Sequence, residues 1–225
     1  MHRPAYFAHL THVSAQLDLD KVQKMQKPAV TDVALHEVIR HRWSPRAFAE
    51  KAVPPEVLRS LFEAARWAPS SNNEQPWAYL VATKDDAENF AKMLGVLVEF
   101  NASWAKHAPA LALSVAHLKT QREGKANRVA LHDVGSATAQ LTFEANTRGL
   151  LVHQMAGFDA EKARQTFAIP ADWEPVAAIA IGYPGNADAL PEKLRERELA
   201  PRTRKALGEF VMTGSWGHTA PFVAT

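Results

Sequence analysis

Two pairs of arginines, each beside a proline, are the residues of this chain best equipped for chemistry: Arg42-x-Ser44-x-Arg46 around Pro45, and Arg202-x-Arg204 directly after Pro201. Pro45 forbids helix continuation and holds Ser44 extended, and alternate side chains of an extended segment share one side. Guanidinium, hydroxyl and guanidinium can therefore converge on the oxygens of a phosphate monoester, each charge-assisted hydrogen bond contributing about 1.5–3 kcal/mol. A lone Arg-x-Arg is at least as well explained by solvated surface charge. Two such arms beside a polar loop shift the reading toward a phosphorylated ligand.

That loop is Pro69-Ser70-Ser71-Asn72-Asn73-Glu74-Gln75-Pro76. Ser70, Ser71, Asn73 and Gln75 both donate and accept hydrogen bonds, which suits a heterocycle with alternating carbonyls and ring nitrogens better than a bare metal. A third piece is Gln154-Met155-Ala156-Gly157-Phe158-Asp159, where a strand gives way to a helix at its Asp cap. Gly157 would admit another molecule close to the backbone, and free N–H groups there could face a ring acceptor. A plain strand-to-helix turn fits these residues equally well.

Other chemistries are narrowed by what the 225 residues lack. There is no cysteine, which removes disulfides, thiolate-bound metals and cysteine nucleophiles. No Gly-x-Gly-x-x-Gly fingerprint, P-loop, His-Glu-x-x-His or Gly-x-Ser-x-Gly occurs. The ten histidines are scattered, and no metal site is expected. His132 and Asp133 are neighbours on a helix, so they point about 100° apart and make no catalytic pair alone. If this chain moves electrons, a cofactor must carry them.

With 47% hydrophobic and 22% charged residues, the chain reads as globular: one domain over 28–225, an N-terminal extension over 1–27 and a C-terminal arm from about residue 200. Met25 could serve as the natural start. A net charge of +2 gives no field for a nucleic-acid partner, although a pI near 8.9 allows a local anion site. The apolar run Val176 to Ile181 is far too short to span a membrane, and residues 1–27 lack a secretory apolar core, so a cytoplasmic location is expected.

The elements that must position these groups follow from periodicity and punctuation. Thr31 or Asp32 is expected to cap a helix with Val33, Leu35, Val38 and Ile39 as its apolar positions, ending before His41. Pro54-Pro55 opens another with Leu58, Leu61, Phe62 and Ala65 on one face, stopped by Pro69. Strands are expected over 77–83, 109–116, 150–155 and 175–182. Helices are expected with Phe90, Met93, Leu94 and Leu97 on one face, over 128–148 with many small residues, from Asp159 to Phe167, and over 190–198. The segment 117–127 fits either a lid or a surface loop.

Taken in order, Arg42-x-Ser44-x-Arg46-x-Phe48, Ala68 to Trp77, Gly149-Leu150 leading to Gly157-Phe158-Asp159, Ile181-Gly182-Tyr183-Pro184 and Arg202-x-Arg204-Lys205 resemble the FMN-dependent nitroreductase family. The resemblance runs from about Asp32 to Trp216. It implies an α+β fold with a central, mostly antiparallel sheet flanked by helices, in an intertwined homodimer. Helix–strand alternation alone would instead point to a parallel sheet. It implies FMN as cofactor and NAD(P)H as donor, with hydride passing to flavin N5 and then two electrons to a nitroaromatic, quinone or similar small-molecule acceptor.

Under this resemblance Arg42, Ser44, Arg46, Arg202 and Arg204 hold the phosphate and ring edge, while Ser70, Ser71 and Asn73 arrive from the partner subunit. Gln154, Ala156 and Gly157 line the ring near N5, Asn101 touches the flavin, and no side chain acts as acid or base. Many members carry an acidic residue where this chain has Ala156. Phe100, Trp104 and the 117–127 loop are expected to wall the substrate pocket. Dehalogenation, flavin fragmentation, ring oxidation and non-catalytic FMN storage or sensing remain alternatives.

Overall fold

Alternating residues on four strands build the centre of the molecule, which a computed structural model describes over residues 27–224. The strands are β1 (Trp77–Thr83), β2 (Ala110–His117), β3 (Leu151–Met155) and β4 (Trp173–Gly182). They lie in the order β1-β2-β4-β3, and every pairing is antiparallel. The expected α+β architecture is found, and the parallel sheet that simple alternation would give is not. Helical connections do not impose parallel pairing when the chain turns straight back. After β1 it re-enters β2 at Ala110 opposite Thr83, and the Lys84 N–H donates to the Pro109 carbonyl at 3.0 Å.

The period of two sorts the strands onto two faces. On one, Leu111, Leu113 and Val115 of β2 and Ala178 and Ala180 of β4 pack with Phe90, Met93, Trp104 and Ala163. These come from α3 (Ala87–Gly95), α4 (Glu99–Ala105) and α6 (Ala160–Thr166). On the other, Ala110, Ala112, Ile179 and Ile181 pack with Leu61 and Ala65 of α2 (Pro55–Arg66) and with Ala137, Leu141 and Ala145 of α5 (Ala130–Thr147). Small residues on α5 let it lie close against both α2 and the sheet.

Several expectations shift. The first described helix, α1 (Glu37–His41), is capped by His36, whose ring nitrogen accepts the Val38 N–H; Thr31 and Asp32 lie in the irregular segment before it. That segment is tied by the Ala29 N–H to the Arg40 carbonyl at 2.8 Å, and Val33 and Leu35 are left exposed. Leu97 falls after α3, in a turn that leads into α4, a helix the periodicity did not separate. The last helix is α7 (Glu192–Leu199). The expected extension and the possible start at Met25 lie outside the described residues, apart from Lys27.

Candidate functional site

The arm carrying Arg42, Ser44 and Arg46 is anchored at three places. The Ala49 N–H donates to the Tyr183 carbonyl at 3.0 Å, and the Gly185 N–H donates to the Ala47 carbonyl at 2.9 Å. The Pro45 carbonyl lies 2.8 Å from His153 Nδ1 on β3, and that ring packs on Trp104. The third anchor is Glu198 at the end of α7, whose carboxylate accepts the N–H of Arg46 at 2.9 Å and of Ala47 at 3.0 Å. Four residues on, the chain reaches Arg202.

As a result both arginine arms line one cavity of about 300 Å³, with Arg42, Ser44, Arg46, Arg202 and Arg204 on its wall. Lys27, Arg197 and Thr203 also line it and have no counterpart among the expected site residues. Burial lowers the pKa of Arg42, Arg46 and Arg202; the neighbouring Arg204 adds to this at Arg42, Arg197 at Arg46, and Arg42 and Arg204 at Arg202. All three stay charged at neutral pH. Arg46 Nε is buried with no hydrogen-bond partner, while Glu198 is committed to backbone amides. The cavity is thus a partly desolvated cluster of cations in which the buried Arg46 Nε lacks a partner, which fits an anion.

Not every arginine is free for a ligand. Arg202 Nη1 donates to the carbonyls of Lys27 at 2.6 Å and Arg40 at 3.0 Å, so part of this guanidinium braces the segment beside the cavity. Arg204 Nη1 donates to the Thr203 carbonyl at 2.7 Å.

The other expected residues lie elsewhere. Gln154 and Ala156 are exposed at the end of β3. The Gly157 N–H donates to no group among the described residues, and its carbonyl accepts Asn101 Nδ2 at 2.9 Å. A Cβ at position 157 would stand 2.5 Å from Asn101 Nδ2, so glycine here admits the Asn101 amide. Ser70, Ser71 and Asn73 sit in a tight turn in which Asn72, Asn73 and Gln75 all have positive φ. The turn is held by the Gln75 N–H to Ser70 Oγ at 3.0 Å and by the Ser71 N–H to the buried Asp133 of α5 at 3.0 Å.

This turn feeds β1, whereas the arginine cavity lies off β3 and the end of β4. Within one chain the two groups flank opposite edges of the sheet, three interstrand steps of about 4.8 Å apart.

Of the expected substrate walls, Phe100 is half exposed beneath Arg197. Trp104 is 1% exposed in the core and is no wall. Its place between Phe48 and His153 is what an apolar residue on the inner face of α4 takes. The 117–127 segment is braced: Gln121 donates from its N–H to Glu74 Oε2 at 2.6 Å and from Nε2 to the Glu74 carbonyl at 2.8 Å. No group of metal-ligating side chains occurs among the described residues.

Comparison with known proteins gives the class. The Nitroreductase family model matches residues 39–109 and 96–183. A protein of Mycolicibacterium smegmatis, described only as an uncharacterized 15.4 kDa protein, is 40% identical over 134 residues, covering 58% of this chain and 86% of that one. A Streptomyces coelicolor protein with the provisional name NADH dehydrogenase/NAD(P)H nitroreductase is 29% identical over 194 residues, 76% of this chain and 94% of its own. A crystal structure described as an oxidoreductase containing FMN superposes with a TM-score of 0.80 at 32% identity, covering 84% of this chain and 96% of the other. The chain belongs to the nitroreductase family, and its enzyme class is oxidoreductase.

Proposed function

We propose that this chain is an FMN-dependent NAD(P)H oxidoreductase that reduces nitroaromatics, quinones or similar acceptors as a homodimer. The observation that carries the proposal is the cavity where the two arginine arms meet around the unpartnered Arg46 Nε. A phosphate monoester supplies the acceptors and the negative charge that these groups lack.

The ring end of the ligand would extend toward the tip of β3. There the Gly157 N–H is available to an acceptor at the ring edge, and the side chain of Gln154 is exposed. When bound, FMN would supply the redox chemistry, hydride acceptance from a nicotinamide and two-electron donation to the acceptor. The chain supplies binding, orientation and a fixed amide dipole, with no side chain in the role of acid or base.

The place of the polar turn supports the dimer. Ser70, Ser71 and Asn73 stand at the β1 edge while the arginine cavity lies off β3, and in this reading they serve the site of a second copy. Exposed Phe210, Trp216 and Phe222 on the C-terminal arm supply apolar surface for that partner. The fixed left-handed backbone of the turn favours presentation to another molecule. The names of the relatives support the same cofactor and donor.

The test is to release and identify the coloured cofactor of the purified protein and to weigh the protein in solution. FMN in a particle of twice the chain mass is expected. A colourless protein that takes up no added FMN would overturn the proposal, and a flavin-loaded monomer would overturn the shared site.

A further inference from the structure

Glu198 is 1% exposed, yet it holds no salt bridge to a side chain among the described residues. It continues the inward face of α7, one helical turn after the buried Leu194. Its carboxylate instead receives two backbone amides, from Arg46 and Ala47, which stand in the other arginine arm. Its own carbonyl accepts Lys27 Nζ, and the Lys27 carbonyl accepts Arg202 Nη1. One side chain at the end of α7, four residues before Arg202, therefore holds an arm 152 positions away in the sequence, with Lys27 closing the loop to the second arm.

We infer that Glu198 is a positioning residue for phosphate recognition: it fixes the backbone of Arg46 relative to Arg202 and Arg204, so that the two arms address one phosphate. The inference rests on the flavin reading proposed above. Two roles are open to a buried carboxylate among cations, and they predict opposite signs. As a counter-charge, Glu198 competes with the phosphate, and any neutral replacement strengthens phosphate binding. As an acceptor for two amides, it is needed in shape more than in charge.

Geometry separates the roles, because Oε1 accepts the Arg46 N–H at 2.9 Å and the Ala47 N–H at 3.0 Å, while Oε2 adds only a second contact to the Arg46 N–H at 3.0 Å. Glu198→Gln can keep that oxygen in place, and Glu198→Ala cannot. Burial raises the pKa of Glu198, while the two amides, Arg46 and Lys27 oppose the shift.

The readout is the affinity of the flavin-free protein for FMN divided by its affinity for riboflavin, which lacks only the phosphate. The wild type should prefer FMN. Glu198→Ala should cut that preference by about tenfold or more, the loss of one charge-assisted contact, with riboflavin affinity little changed. Glu198→Gln should keep the preference within about threefold. Preserved preference in Glu198→Ala, or equal movement of both variants in either direction, would overturn the inference.

A wild type that binds FMN no better than riboflavin would instead overturn the underlying phosphate site. Should Glu198→Ala not fold, amide exchange in the wild type decides. The Arg46 and Ala47 amides should be protected, and fast exchange of both would overturn the inference.

Discussion

Arg46 is the residue on which the proposed phosphate site turns. Its backbone N–H is held by Glu198, its side chain lines the cavity, and its buried Nε has no hydrogen-bond partner. Arg46→Ala should weaken FMN binding roughly tenfold to a hundredfold, the equivalent of one pair of about 1.5–3 kcal/mol, measured by flavin fluorescence titration. His153 carries a pH signature. Burial, aided by the Arg46 charge and opposed by the hydrogen bond to Pro45, pulls its pKa from 6.5 to about 4. The unfolded chain then takes up a proton between pH 6.5 and about 4 that the folded chain refuses. Stability is full above that window and falls as the pH drops through it, by at most roughly 3 kcal/mol. In His153→Gln, urea midpoints should lose most of this slope.

Among residues, the arginine arms were legible because proline and a period of two are local signals. Glu198 was not foreseen within a run of charged residues, although its spacing from Leu190 and Leu194 places it on the buried side. Lys27 and Arg197 reach the cavity only through tertiary folding and carry no local signature.

Among elements, the strands were the most legible part, since alternating or continuous apolar runs bounded by Gly and Pro are read one strand at a time. Pairing direction was not, because it depends on where a connection re-enters the sheet. The β2–β4 ladder also slips between Ser114 and Val115, beside Pro175, a bulge that no periodicity announces. Gly95 marks the end of α3, but the split from α4 was hidden because Val96-Leu97-Val98 continues the apolar pattern past it.

Two element-scale outcomes follow. Gly185 lies where the Arg42–Arg46 arm crosses the end of β4, and a Cβ there would stand 2.5 Å from the Phe48 carbonyl carbon. Gly185→Ala should therefore displace the arm, lowering stability by about 1–3 kcal/mol in urea unfolding and weakening FMN binding together. Asp159 accepts the Lys162 N–H at 2.9 Å as the cap of α6. Asp159→Ala should cost about 1 kcal/mol in the same assay.

At the scale of the whole molecule, the sheet separates the polar turn at one edge from the arginine cavity at the other. The proposed enzyme is complete only if two copies exchange turns. Ser71→Ala and Arg46→Ala, each defective in FMN binding alone, should then recover about half a set of functional sites in mixed dimers, because one of the two sites regains both contacts. Neither residue type nor periodicity indicated this separation; it comes from the strand order.

Adding NADH or NADPH to the purified protein without oxygen, and following the flavin absorbance, tests the central claim most directly. The yellow colour should bleach with at least one of the two donors and return when a nitroaromatic or quinone is added. A bound flavin that neither nucleotide can bleach would contradict it.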